Sequence, residues 1–73
     1  MKYAVIYEQG PNNYSAYVPD LPGCVAAADT FEEIEQLIKE AIIFHLKELA
    51  RAGDPIPPAV TRTGIVEVQS QPG

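Results

Sequence analysis

The chain has 73 residues, with five Lys and Arg against ten Asp and Glu, a formal charge of −5 and a single cysteine. That length allows one small domain, residues 1–73, with a thin core; lone Cys24 cannot form an internal disulfide or a zinc site, so the missing stability is expected from self-association into a dimer or tetramer. Acidity without any Lys/Arg cluster excludes independent nucleic-acid binding and suits a basic protein partner.

No signal peptide begins the chain, and the longest apolar run, residues 41–44, is too short to cross a bilayer. A cytoplasmic protein with a reduced cysteine is the expectation.

In chain order, residues 2–8 (KYAVIYE) are rich in aromatic and β-branched side chains and stop at Gly10-Pro11-Asn12-Asn13, the pattern of a strand and a turn. Tyr3, Val5 and Tyr7 alternate with Ala4 and Ile6, so both faces are apolar. A chain with one helix can cover only one of them, and the other is a candidate oligomer surface. Residues 14–18 are predicted to pair antiparallel with this strand across the short loop. Pro19 ends that strand. Pro19, Asp20, Leu21, Pro22 and Gly23 then make a stiff loop, since two prolines restrict φ and Gly23 permits positive φ. Residues 24–28 are a short strand of small side chains that lets a helix approach closely.

Thr30 and Glu33 have the spacing of a capping box and open a helix expected over residues 30–53. Phe31, Ile34, Leu37, Ile38, Ala41, Ile42, Leu49 and Ala52 project onto one arc, with mostly charged residues outside it. Ile43, Leu46 and Ala50 lie off that stripe and suggest a second contact. Gly53 closes the helix and Pro55 prevents it from resuming. The run 54–58 is stiff and extended, and residues 63–69 (TGIVEVQ) have the composition of a last strand, expected to enter the sheet by a right-handed crossover. Residues 70–73 are expected to fray.

Residues 14–30 (YSAYVPDLPGCVAAADT), followed by Phe31-Glu32-Glu33 and closed by Pro55-Ile56-Pro57-Pro58, resemble the HicB-like antitoxin domain of toxin–antitoxin pairs. The resemblance implies an α+β fold of β-β-β-α-β order, a pared-down ribonuclease H fold: a three-stranded antiparallel meander plus a fourth strand, with one long helix packed on one face. It also implies a partner, a small basic HicA-type toxin that cleaves mRNA, whose active site the antitoxin occludes. Two departures stand out. Ala28 occupies a position where many members carry glycine, and members often continue into a DNA-binding region, whereas this chain ends at Gly73, so operator binding is not carried over.

The loop Pro19, Asp20, Leu21, Pro22 and Gly23 is the expected partner-binding site, with the Asp20 carboxylate able to mask a catalytic histidine of the toxin or simply to cap its own turn. Tyr3, Val5, Tyr7, Ile43 and Leu46 are the expected oligomer surface. His45 has no second ligand or serine beside it, so a backbone-satisfied histidine is the simpler role. Cys24 lacks basic neighbours and suits the core. Glu8, Asp20, Asp29, Glu33 and Glu67 do not reproduce the carboxylate spacing of a two-metal nuclease. The expectation is therefore a binding module without catalysis, cofactor or metal. The alternatives are a stand-alone structural or regulatory oligomer of the same fold and a degenerate nuclease.

Overall fold

The computed structural model describes residues 1–70, so the expected fraying of 71–73 lies outside the described residues. Three strands, β1 (Ile6–Gln9), β2 (Tyr14–Tyr17) and β3 (Val25–Ala28), precede one helix, α1 (Phe31–Ala52). The fold is α+β, an antiparallel meander in the order β1-β2-β3. Ile6 faces Tyr17 and Gln9 faces Tyr14 in the first pair, while Tyr14 faces Ala28 and Tyr17 faces Val25 in the second. The turn between β1 and β2 closes through the Gly10 N–H, which donates to the Asn13 carbonyl at 2.8 Å.

Because side chains alternate along a strand, this register sorts the sheet into two faces. Tyr14, Ala16, Val18, Ala26 and Ala28 lie on the helix side, together with Tyr3 and Val5, and all belong to the core or pack against it. The buried centre is Ala16, Val18, Leu21, Cys24, Ile34 and Ile38. The helix lies over β3 and β2, where alanines allow a close approach. Its first side chain, Phe31, reaches Tyr7 and Tyr14, with ring centroids 5.1 and 5.7 Å apart.

The helix begins as a capping box that is closed in its own way. The Glu33 N–H donates to Thr30 Oγ1 at 3.2 Å, and the Thr30 hydroxyl donates to Glu33 Oε1 at 2.9 Å, so the two side chains bond each other. At the other end Gly53 adopts φ 75°, and its N–H and that of Asp54 donate to the carbonyls of Ala50 and Leu49. Twenty-two helical residues span roughly 33 Å, against about 13 Å for a four-residue strand, so α1 is far longer than the strands it crosses.

Three expectations are corrected here. The buried stripe is Ile34 and Ile38, continued by Ala41, Ile42 and Leu46, while Phe31 and Leu37 are exposed. A helix crossing only two strands buries a narrower arc than its composition offers. Leu46 therefore belongs to the packing side and not to a second contact. The fourth strand is also not in the sheet: residues 63–69 pair with no described residue, and Ile65, Val66 and Val68 are 101, 83 and 78 % exposed.

Candidate functional site

The loop after β2 is held by its own backbone. Leu21 N–H donates to the Val18 carbonyl, Cys24 N–H to the Leu21 carbonyl, and Val18 N–H to the Cys24 carbonyl, with distances of 3.0 to 3.1 Å. Gly23 supplies the positive φ, 84°, that this closure requires. The result drives Leu21 inward until none of it is exposed. Leu21 is thus a core plug and offers nothing to a partner, while Pro19, Pro22 and Gly23 remain on the surface.

Asp20 clamps a segment distant from it in the chain. Its Oδ2 accepts from the N–H groups of Val60 and Thr61 at 3.0 and 2.9 Å, and its Oδ1 accepts from the Thr61 hydroxyl at 2.6 Å. Those bonds, the Thr61 hydroxyl foremost, hold the carboxyl below the usual aspartate value against an opposing effect of burial. The turn-capping role expected for it is replaced by a clamp across 41 residues of sequence. The Tyr3 hydroxyl adds a second tie, donating to the Pro57 carbonyl at 2.6 Å. No sequence-local signal marks either bond, because both join segments that only the fold brings together.

The expected oligomer surface is split by the structure. Tyr3 and Val5 face the helix side and pack against the core, Tyr7 is exposed beside Phe31, and Ile43 is exposed on α1 next to Phe44. The face away from the helix has a different row: Ile6, Tyr17 and Val25 lie side by side across β1, β2 and β3. Tyr17 is exposed, and Val25 is 65 % exposed. The next row on that face is Glu8, Ser15 and Ala27. The signal for this face was the alternation in β2, where Tyr17 sits between Ala16 and Val18.

Charge is unevenly spread. Glu8 at the end of β1 and Asp29, Glu32, Glu33 and Glu35 around the start of α1 are all exposed and form an acidic pole without an intervening base. Carboxylates there oppose the positive end of the helix dipole. The Tyr7 hydroxyl is pushed above its ordinary pKa, first by burial and then by the nearby Glu35 charge. At the far end Arg51 pairs with Glu48 at 3.1 Å.

Cys24 is buried, and burial raises its thiol pKa, the opposite of what a nucleophile needs. His45 is half-buried on α1, and its ring forms no hydrogen bond with a described residue. Among the described residues no three His, Cys, Asp or Glu side chains converge as a metal site, the surface holds no pocket, and no helix is long and apolar enough to cross a membrane.

Comparison with known proteins places these surfaces in context. Residues 3–73 match the family described as HicB-like antitoxin of bacterial toxin-antitoxin system. The chain is 37 % identical over 57 residues to an uncharacterised 14.9 kDa protein of Haemophilus phage HP1, covering 78 % of this chain but only 43 % of the phage protein. It is 39 % identical over 56 residues to a UPF0150 protein of Synechocystis, covering 75 % of this chain and 71 % of that one. Among solved structures, a chain of the HicA3 and HicB3 toxin-antitoxin complex superposes with a TM-score of 0.70 at 30 % identity, covering 81 % of this chain and 70 % of that one.

Proposed function

The chain belongs to the HicB-like antitoxin family, and from that premise we propose that it neutralises a small basic HicA-type toxin by occluding the toxin's RNA-cleaving site. The observation that carries this reading is the sheet face opposite the helix, where Ile6, Tyr17 and Val25 form an apolar row flanked by Glu8. An apolar centre with a charged rim is the composition of a protein interface, and a tyrosine at its middle is the residue type that most often anchors one. The acidic pole around Asp29, Glu32, Glu33 and Glu35 steers a basic partner toward it. Pro19, Pro22 and Gly23 extend the contact at the other end of the sheet. Asp20 acts indirectly in this reading, because its carboxylate is engaged with Val60 and Thr61. Binding is the whole activity, with no bond made or broken by this chain.

The test is co-expression with a HicA-type ribonuclease, followed by co-purification and an RNA-cleavage assay. Wild type is expected to bind and inhibit. Tyr17→Ala combined with Val25→Asp should abolish inhibition while the circular dichroism spectrum stays that of the wild type. Full inhibition by that double variant overturns the assignment of the face.

A further inference from the structure

We propose that the outer strip of α1 formed by Glu33, Leu37, Glu40, Phe44, Lys47 and Arg51 docks antiparallel on the same strip of a second copy of this chain. The contact uses neither the open sheet face nor the segment after the helix, and it stands apart from the toxin reading.

These six residues step along α1 by alternating intervals of four and three, the spacing that keeps side chains on one seam between two helices. All six are exposed. Leu37 and Phe44 form its apolar centre, 41 and 66 % exposed, and they lie two turns apart on one face. That face is distinct from the one the sheet covers, where Ile34 and Ile38 are buried and Ile42 and Leu46 pack beside them. Exposed Ile43 sits about 100° round the axis from Phe44 and outside the strip.

Acid and base are segregated along the seam. Glu33 and Glu40 occupy its first half, Lys47 and Arg51 its second. Turned end for end and centred between Glu40 and Phe44, the strip meets its own reverse. Glu33 then comes opposite Arg51 of the second copy, Leu37 opposite the aliphatic stem of Lys47, and Glu40 opposite Phe44, each contact occurring twice by symmetry. Lys47 of one copy lies within a turn of Glu40 of the other. Both carboxylates keep an oxygen for this, because the Thr30 hydroxyl engages only Oε1 of Glu33 and the Gln36 amide only Oε2 of Glu40. Arg51 already holds Glu48 at 3.1 Å, and its five-donor fork has hydrogens left for Glu33 of the second copy. The two helix dipoles are opposed in this arrangement, which sets each positive end beside a negative one.

Charge selects the occupant. The strip carries two acids and two bases and is neutral, so a basic partner is repelled by Lys47 and Arg51 and an acidic one by Glu33 and Glu40. A parallel copy would set like charge against like. Only the same pattern run backwards satisfies every position. A seam about 27 Å long and about 10 Å wide is smaller than a standard interface, so the association belongs to the weak, reversible class.

The test compares charge variants of the full 73-residue chain by sedimentation equilibrium at submillimolar concentration. Masses are read relative to one another, so any other contact between copies cancels. Glu33→Lys with Glu40→Lys makes the strip wholly basic, and Lys47→Glu with Arg51→Glu makes it wholly acidic. Wild type is expected at twice the mass of either variant alone, with one circular dichroism spectrum for all three. An equimolar mixture of the two variants should recover the wild-type mass, a rescue that a misfolded chain cannot produce. If loss of the Glu33 cap unfolds the basic variant, Glu40→Lys alone takes its place. Either variant keeping the wild-type mass overturns the proposal, as does a mixture that stays at the lower mass. Variants that keep their mass but lose toxin inhibition also overturn it, since the strip would then belong to the toxin.

Discussion

Residues 2–8 and residues 63–69 are written in nearly the same vocabulary, KYAVIYE and TGIVEVQ, each rich in β-branched or aromatic side chains. The first enters the sheet through Ile6, Tyr7 and Glu8, with Tyr3 and Val5 packed against the core. The second stands in solvent with Ile65 wholly exposed. What separates them is not propensity but the availability of a neighbour. β1 is followed within five residues by a strand that folds back on it, whereas the last segment emerges from a clamp at Asp20 and pairs with no described strand. β-propensity expresses a fit to a half-buried pleated surface, and without that surface it goes unrealised.

The comparison can be broken by the same deletion made in both regions. Ile38→Ala or Leu21→Ala removes a side chain only 2 or 0 % exposed and should cost about 2–5 kcal/mol, a large share of the roughly 5 kcal/mol at the low end of the range for native domains, where so small a domain belongs. Urea titration should find those variants largely unfolded. Val66→Ala at low protein concentration should shift the same titration by no more than about 0.5 kcal/mol. Equal losses at both sites would mean that residues 63–69 are packed after all.

A smaller effect belongs to the helix start. Thr30→Ala removes the acceptor for the Glu33 N–H and the donor to its carboxylate and should lower stability by about 1 kcal/mol in a thermal or urea melt. Smaller still for the domain, but specific to the segment after the helix, is Asp20→Ala. It should leave the melting transition nearly in place while the amide protons of Val60 and Thr61 lose protection in hydrogen exchange. Persistent protection there would show that other contacts hold the segment.

Acid should act in the same direction. Asp20 has a folded-state pKa below its unfolded one, so its contribution is fully present above the ordinary aspartate value of about 3.9 and is lost as pH falls through the lower, folded value. The Val60 and Thr61 amides should therefore deprotect at the acid end of a titration before the sheet amides do. Simultaneous deprotection would place the clamp inside the cooperative unit of the domain.

Much of the architecture could be read from local pattern. Alternation in residues 14–18, the Thr30 and Glu33 spacing, and the Gly53 and Pro55 stop each encode their element within a few residues, and the PDLPGC block carried the family. The candidate sites were less legible. Leu21 lies in a loop of surface-type residues, and its burial depends on three backbone hydrogen bonds that turn it under the sheet. Asp20 finds its partners 40 and 41 residues away. Tyr3 and Val5 pack on the helix side and not on a free oligomer face, because an apolar strand shows which residues share a face but not which face the helix will take.

The amino-acid order by itself determined the three strands, the helix and its caps, since each follows from period, capping chemistry and turn residues acting over a few positions. Only the tertiary structure decided which face of the sheet is covered, where the Asp20 carboxylate is spent, and that residues 63–69 are left without a ladder. Those outcomes depend on contacts between distant segments, whose energies no local stretch of sequence contains.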